Sequence, residues 1–255
     1  VDLVVTVDCG VTSVAEATVA REIGLEYIVT DHHEFADAPP PADAVVHARM
    51  PGSTYPFAGL CGAGIAFKLA WEISRQFSGQ RKATESFREF LLQATSLVAI
   101  GTTCDVVPLE DENRVFVYHG LRSLKEAPSV GLRSLLDVAG LKEKSRLNAG
   151  DIGFTLGPRL NACGRLGQAR LGIELLTTRD ESKADMLARH LDQQNKDRQK
   201  LERRIYNDAK EQAETHYDFD DHQASSILVL AGESETWHPG VIGIVASRIV
   251  ERFGR

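Results

Sequence analysis

The chain has 255 residues, of which 43% are hydrophobic and 25% are charged, and its net charge is −7. This composition is typical of a globular protein with one large or two ordinary domains, and no apolar run approaches the roughly 20 residues of a membrane span. The four cysteines form no C-x-x-C pair, which argues against a zinc knuckle or a disulfide framework and indicates free thiols in the cytoplasm. The acidic balance excludes a uniformly basic nucleic-acid coat, although a local basic groove or a metal-bridged phosphate contact is compatible with it.

The first elements predicted along the chain are a strand, a helix and a second strand. Residues 3–7 and 27–30 are short, β-branched, nearly unbroken apolar runs, which are typical of strands buried on both faces of a parallel sheet. Residues 13–16 read as a capping box that opens a helix, and Gly24 is its predicted stop. A unit of this length forms a right-handed crossover, so the two strands are expected to be parallel and adjacent.

Acidic and imidazole side chains follow both strands. Asp8 ends the first strand, while Asp31, His32 and His33 end the second, so all four are expected at the ligand-binding edge of the sheet. Asp8, His32 and Asp105 offer the mixture of carboxylate and imidazole ligands that suits Mn²⁺ or Mg²⁺. The alternative is that Asp8 caps a helix, the histidines lie on a solvated loop and Asp105 caps a turn.

The middle of the chain is predicted to be mainly helical. A short third strand is predicted at residues 44–46, and apolar residues fall at helical spacing through most of residues 62–157. The second of these helices is expected to end in a turn at residues 101–108. Residues 62–64, which precede Lys68, are a weak phosphate-loop signal, because the full Walker spacing is lacking.

Two further segments are candidates for substrate contacts. Residues 157–161, followed by Arg165, read as a polar loop whose arginines could clamp phosphate oxygens. Residues 237–240 precede a predicted helix and would present free backbone N–H groups to an anion. The alternatives are a turn with solvated arginines and an ordinary loop.

The last third predicts a long helix and then a second α/β unit. Residues 178–181 read as a second capping box, which opens a charged helix to about His216 with a narrow apolar stripe. Such a helix is better suited to bridging two domains than to filling one core. Residues 226–230 predict a new strand. The predicted division is into an α/β parallel-sheet domain with a helical second half at 1–178, a connecting helix at 179–217, and the start of a second, smaller α/β domain at 218–255.

These motifs, in this order, resemble the DHH phosphoesterase superfamily, and within it the RecJ-type exonucleases. Residues 5–10, 31–33 and 101–108 are similar to the second, third and fourth motifs of the superfamily. Several later stretches are similar to sequences particular to the RecJ branch: residues 157–162, residues 164–166, Leu191 with Asp192, Asn195, Arg198 with Gln199, and residues 237–248.

The resemblance implies two Mn²⁺ or Mg²⁺ ions in the intact enzyme. Asp8 would bridge the two ions, and His32 and Asp105 would hold one of them. His33 would lie near the scissile phosphate, and Asp31 would orient its neighbours. Water activated by the metals would then attack the phosphodiester.

The resemblance also implies two groups of substrate contacts. One group would face the substrate beside the metals, and the other would contact the nucleotide or its terminal phosphate from the second domain. The long helix would set the width of the cleft between them and admit a single strand only. The first group is Arg159, Asn161 and Arg165, and the second is His238, Ser247 and Arg248.

One departure from the superfamily pattern concerns its first motif, an Asp-x-Asp that would precede Val1. The chain begins directly before a strand and ends after an apolar helical pattern, so we expect an internal fragment of a longer protein. Without those acids one metal would lack most of its ligands. The resemblance therefore implies that the isolated chain binds metal weakly and cleaves little.

The function that the resemblance implies is metal-dependent 5′→3′ hydrolysis of phosphodiester bonds in single-stranded DNA, in DNA repair and recombination. The implied partner is single-stranded DNA with a 5′ end, with a single-strand-binding protein and a helicase in the cell and no membrane. Two alternatives remain. One is a DHH phosphodiesterase of short oligonucleotides or dinucleotides, and the other is a non-catalytic nucleic-acid-binding relative.

Overall fold

A computed structural model describes residues 1–79, 82–165, 167–217, 219, 227–233 and 235–254, apart from the side chain of Arg165. The chain forms a small parallel sheet followed by a mainly helical body, which confirms the predicted α/β class. The strands are β1 (Leu3–Val7), β2 (Glu26–Thr30) and β3 (Ala44–Val46), in the order β1-β2-β3. Both pairs are parallel, and Val7 lies opposite Thr30. The predicted parallel pairing of the first two strands and the strands predicted at residues 3–7, 27–30 and 44–46 are therefore confirmed.

The helices occupy most of the remaining chain, and among the described residues none is long and apolar enough to cross a membrane. A short π-helix, Ile152–Leu156, lies directly before the seventh α-helix. The α-helices in chain order are α1 (Val14–Glu22), α2 (Gly62–Phe77), α3 (Glu85–Cys104), α4 (Asp111–Glu126), α5 (Val130–Val138), α6 (Ala149–Asp151), α7 (Gly157–Arg165), α8 (Ala169–Thr177), α9 (Glu181–His216) and α10 (Pro239–Phe253).

Strand β1 differs from the sequence prediction in its burial. The prediction of burial on both faces is wrong, because Leu3, Val5 and Val7 are between 43% and 50% exposed. Within the described residues β1 is the edge strand of the sheet and pairs with β2 alone. A continuous apolar run therefore identified a strand correctly but did not distinguish an edge position from a central one.

Both predicted capping boxes differ in detail from the observed helix starts. Ser13 precedes α1 but makes no side-chain capping hydrogen bond, whereas Gly24 follows the helix at φ +71°, as its predicted role requires. Helix α9 begins two residues later than predicted, because the side chain of Asp180 accepts a hydrogen bond from the Lys183 N–H group. Thr178 instead ends α8. The sequence thus placed the N-cap of α1 correctly, although without its side-chain hydrogen bond, and placed that of α9 two residues too early.

Helix α9 takes part in two separate hydrophobic clusters. Leu187 and Leu191, in its first half, are buried against α5, α7 and α8. Ile205 and Ala209, in its second half, are buried against α10. The helix therefore connects two packed bodies through its narrow apolar stripe.

The strand predicted at residues 226–230 is not observed. Residue 226 lies outside the described residues, and residues 227–230 are not assigned to a strand. The backbone of Val229 is bound by a side chain, because its N–H donates to the Tyr217 hydroxyl and the hydroxyl donates to the Val229 carbonyl.

Candidate metal centre

The carboxyl ends of β1 and β2 carry the acids of the candidate centre. Asp8 follows β1, and its backbone N–H donates to the carbonyl of Thr30, the last residue of β2, at 2.9 Å. Asp31 follows β2, and its N–H donates to the Val46 carbonyl of β3 at 3.2 Å. The sheet therefore brings both acids to one edge, as its parallel register predicts. Asp8 has a positive φ of 64°, an uncommon conformation for a residue with a side chain.

His32 lies between two carboxylates. Its Nε2 atom is 3.1 Å from Asp8 Oδ1 and 3.4 Å from Asp105 Oδ2. Both distances are those of ion pairs, yet this buried nitrogen has no hydrogen-bond partner among the described residues, because neither contact has hydrogen-bond geometry. A buried polar atom without a partner is unfavourable. Carboxylate oxygens and an imidazole nitrogen arranged in this way fit the ligand set of Mn²⁺ or Mg²⁺.

Asp105 reaches this group from the helical body. It is the C-cap of α3, and its N–H donates to the Gly101 carbonyl at 2.9 Å. Burial raises the pKa of Asp105; His32 and His33 oppose that rise, and the charge of Asp8 adds to it. Two acids that repel each other beside one imidazole would be stabilised by a cation. Asp8, His32 and His33 each have one potential ligand atom, and these three atoms lie within 4.8 Å of one another.

Asp31 is the buried anchor of this loop, with only 1% of its side chain exposed. Its Oδ2 accepts from Val11 N–H, and its Oδ1 accepts from the N–H groups of His32 and His33 and from His33 Nδ1. Burial alone would raise the pKa of Asp31, but these hydrogen bonds outweigh it, so the pKa is lowered. The hydrogen bond to Asp31 in turn raises the pKa of His33, and its imidazole is more than half exposed.

Gly62 is a site residue that the sequence analysis interpreted differently. It begins α2, and a Cβ placed on it would lie 2.3 Å from Asp8 Oδ1. The glycine therefore leaves room for the Asp8 carboxylate, and the weak phosphate-loop interpretation of residues 62–64 is not needed to explain it. The available signal was a glycine at the first position of a helix. Only the fold reveals that this helix starts beside the strand ends.

The segment predicted as an arginine-bearing loop at residues 157–161 is helical. It forms the first half of α7, whose Ala162 and Cys163 are buried at the core side. A Cβ on Gly157 would lie 2.4 Å from the sulfur of Cys104, the last residue of α3. The loop prediction is therefore wrong, because these polar residues lie on a helix that packs beside the residue preceding Asp105.

Arg159 is held by a neighbouring helix. Its Nε atom donates to Asp192 Oδ1 of α9 at 2.9 Å, and its Nη2 atom forms an ion pair with the same oxygen at 2.9 Å. Its Nη1 atom donates to the Thr155 carbonyl at 2.7 Å. Asn161 is exposed on the same helix. The Arg165 side chain lies outside the described residues. The structure thus fixes the direction of Arg159 and leaves Asn161 open to solvent.

The three candidates on and before α10 have different surroundings. His238 is the N-cap of α10, and its Nδ1 accepts from Gly240 N–H at 3.0 Å, so one N–H group predicted to be open to an anion is already capped. Ser247 is exposed. Arg248 is ion-paired with Glu202 of α9 at 2.9 Å and lies over a tyrosine ring of the same helix. Arg248 is therefore positioned by α9, as Arg159 is.

The chain is similar to known proteins over its whole length. Residues 2–102 match the profile described as "DHH family, N-terminal domain". The chain is 41% identical over 253 residues to the single-stranded-DNA-specific exonuclease RecJ of Bacillus subtilis (strain 168), which covers 99% of the chain and 30% of that protein. It is 36% identical over 260 residues to RecJ of Escherichia coli (strain K12), which covers 99% of the chain and 44% of that protein.

Solved structures lead to the same family. The crystal structure of RecJ in complex with Mn²⁺ from Thermus thermophilus superposes with a TM-score of 0.82 at 37% identity, over 100% of the chain and 35% of that structure. A Mg²⁺ complex from the same organism gives a TM-score of 0.73 at 35% identity, over 100% of the chain and 33% of that structure. The chain thus spans less than half the length of these relatives. Its residues 2–102 match the DHH family, and over its whole length the chain is similar to the RecJ exonucleases.

Proposed function

We propose that the full-length protein is a metal-dependent exonuclease that hydrolyses phosphodiester bonds of single-stranded DNA in the 5′→3′ direction, in DNA repair and recombination. The observation that carries the proposal is the buried Nε2 of His32, which lies between the carboxylates of Asp8 and Asp105 without a hydrogen-bond partner among the described residues. Relatives from two organisms that are named RecJ exonucleases support the substrate class.

We assign Asp8, His32 and Asp105 as the ligands of Mn²⁺ or Mg²⁺ in this chain. Relatives crystallised with either ion support this choice, and so does the mixture of oxygen and nitrogen ligands. Bound ions would activate water and neutralise the charge that develops on the phosphate during hydrolysis. Asp8 is the most exposed of the three ligands, which suits a residue shared between two ions.

His33 and Asp31 have separate roles in this proposal. Asp31 accepts a hydrogen bond from His33 Nδ1, so the second ring nitrogen of His33 is left for the substrate. The raised pKa of His33 favours its protonated form, whose Nε2–H would donate to a phosphate oxygen. Asp31 accepts four hydrogen bonds and supports the loop without contacting substrate.

The substrate would be held by two groups of side chains. Arginine guanidinium groups match phosphate oxygens as paired donors, and each described arginine here is already oriented by an acid of α9. The first group, beside the metals, is Arg159, Asn161 and Arg165. The second group, on and before α10, is His238, Ser247 and Arg248.

The domain organisation that goes with this function has three parts. The DHH domain would span residues 1–178, a connecting helix residues 179–217, and a substrate-binding domain would begin at 218–255. The two separate hydrophobic clusters on α9 support this division. The protein would act in the cytoplasm on single strands with a 5′ end, in concert with a single-strand-binding protein and a helicase.

The test is a cleavage assay of the full-length protein on 5′-phosphorylated single strands with Mn²⁺ or Mg²⁺. Asp8→Ala and His32→Ala should abolish nucleotide release. Glu16→Ala and His119→Ala are the matched controls, since both residues are exposed and lie on helices, Glu16 on α1 and His119 on α4. Undiminished cleavage by either site variant would refute the assignment.

The same assay separates the two alternatives. A phosphodiesterase of short oligonucleotides would prefer dinucleotides to long strands, whereas the proposed exonuclease would degrade the long strand progressively. A binding-only relative would retain the strand and release no nucleotide with either metal. The joint presence of Asp8, His32 and Asp105 favours the exonuclease over the latter.

A further inference from the structure

The loop that carries His32 and His33 is also held from the end of β3. The backbone carbonyl of His33 accepts a hydrogen bond from His47 Nε2 at 2.8 Å. The carbonyl of His32 accepts one from Arg49 Nη2, also at 2.8 Å. Two successive carbonyls of the candidate metal loop are therefore bound by residues 47 and 49, which follow β3 directly.

His47 is fixed in one tautomer by its two partners. The N–H group of Arg49 donates to His47 Nδ1 at 3.0 Å, so this nitrogen is an acceptor and carries no proton. Nε2 therefore carries the proton that it donates to the His33 carbonyl. The side chain is largely buried, and its ring packs against that of Phe35 with the ring centroids 4.5 Å apart. Its position is set by hydrogen bonds at both nitrogens and by ring contact.

These contacts complete the support that Asp31 begins. Asp31 Oδ1 accepts from the N–H groups of His32 and His33, which fixes the amide side of each residue. His47 and Arg49 bind the carbonyl side of the same two residues. A backbone held on both sides fixes the direction of the Cα–Cβ bond from which each ring projects, and this narrows the positions that a metal-ligating ring can take.

We propose that His47 and Arg49 are positioning residues of the metal centre, which orient His32 and His33 through their backbone carbonyls. This inference rests on the proposed function, because it assumes that His32 is a metal ligand. Neither His47 nor Arg49 is itself assigned as a ligand. Their effect on the metal comes from the direction they give to the His32 ring.

Arg49 has a second contact that supplies a control. Its Nη1 forms an ion pair with Glu34, whose side chain is highly exposed. Exposed ion pairs contribute little to stability. Glu34→Gln removes this pair and leaves both carbonyl contacts in place, so it should have the Mn²⁺ affinity of the wild type. This variant separates the ion pair between Arg49 and Glu34 from the contact between Arg49 and the His32 carbonyl.

The test is a titration of the full-length protein with Mn²⁺, in which electron paramagnetic resonance measures the concentration of free ion and so gives the Mn²⁺ affinity. His47→Phe keeps the ring and its contact with Phe35 but removes both hydrogen bonds, so Mn²⁺ affinity should fall roughly 10- to 100-fold. His47→Gln restores a donor that reaches the His33 carbonyl, so most of the affinity should return. Arg49→Met should weaken binding less than His47→Phe, because its backbone N–H is retained.

Two further measurements distinguish positioning from general damage. The melting temperature of the metal-free variants should stay close to that of the wild type, and the KM for single-stranded DNA should be unchanged at saturating Mn²⁺ while kcat falls. Arg49→Met tests the His32 carbonyl independently if His47→Phe does not fold.

Wild-type affinity in His47→Phe or in Arg49→Met would overturn the inference, and so would a His47→Gln variant no better than His47→Phe. A wild-type protein that binds no Mn²⁺ would refute the proposed function itself and the inference with it. The two failures are thereby distinguished by the behaviour of the unmodified protein.

Discussion

Replacing Gly62 by alanine should displace the Asp8 carboxylate from the metal centre. The added Cβ would lie 2.3 Å from Asp8 Oδ1, about 1.1 Å closer than the 3.4 Å at which ordinary contact begins. The added Cβ would also lie 2.5 Å from Asp8 Cβ, and rotation of the Asp8 side chain moves the carboxylate but not this atom. The backbone at Asp8 or at the start of α2 must therefore shift as well. The substitution should lower the melting temperature while it damages the site.

The expected size of the defect follows from the displacement. A shift of about 1 Å in a catalytic group can cost roughly 100-fold in rate, which corresponds to about 2.7 kcal/mol of transition-state stabilisation. Mn²⁺ affinity should fall by roughly 10-fold or more. Gly64→Ala is the matched control, because Gly64 lies in the same helical turn and its Cβ would approach Leu60 no closer than 3.3 Å. This control should keep both the affinity and the rate.

The assay combines Mn²⁺ titration, thermal melting without metal, and initial rates of nucleotide release from a 5′-phosphorylated single strand. The reasoning requires loss of affinity and rate in Gly62→Ala but not in Gly64→Ala. It would be refuted if Gly62→Ala bound Mn²⁺ as tightly as the control. A metal-free melting temperature equal to that of Gly64→Ala would also contradict it, because the overlap with Asp8 Cβ requires the backbone to move.

Three other outcomes are expected. Asp31 holds the pKa of His33 above its ordinary value of 6.5, so their contact stabilises the metal-free fold below pH 6.5, and this stabilisation is lost as the pH rises through the raised pKa. An NMR titration of Asp31→Asn should therefore find a lower His33 pKa than in the wild type, and an unchanged His33 pKa would count against the contact. Asp192→Ala leaves the partly buried Arg159 without its carboxylate partner, so it should lower the free energy of unfolding by about 1–3 kcal/mol. The same variant should raise the KM for DNA without changing Mn²⁺ affinity, and an unchanged KM would contradict this. Removing the metal with a chelator should stop cleavage but leave the circular dichroism of the helices unchanged, since the ligands sit on elements formed by backbone pairing; loss of helical signal would contradict it.

The sheet was predictable because its strands are short β-branched runs. All three strands were found within one residue of their predicted bounds, and the parallel order followed from the connecting helix. The exposure of β1 was not predictable, because it depends on which neighbours a strand has. The loop prediction at residues 157–161 failed because a half-buried helix with glycine, proline and polar residues has the composition of a loop. The strand predicted at residues 226–230 is not assigned at the described positions 227–230, because strand formation depends on tertiary context as well as on composition.

The residues of the candidate site also differ in whether the sequence could place them. Asp8 and His32 could be brought together from sequence, because two parallel strands end at one edge of a sheet. Asp105 reaches them from the end of α3, and its position depends on how the helices pack, which no local pattern specifies. Residues such as His47 and Arg49 act on backbone carbonyls. Since every residue has a carbonyl, the sequence contains no signal for this kind of contact.

Helix α9 gives the substrate contacts a physical basis that their sequence motifs did not. Asp192 holds Arg159 of α7, and ten residues further along Glu202 holds Arg248 of α10. A rise of 1.5 Å per residue places these two acids about 15 Å apart along a single continuous helix. The distance between the two arginines is therefore governed by a rigid element and not by loops. If both arginines bind phosphates, α9 sets the length of single-stranded DNA that the two arginines can contact at the same time. The connecting helix would then take part in substrate recognition as well as joining the two domains.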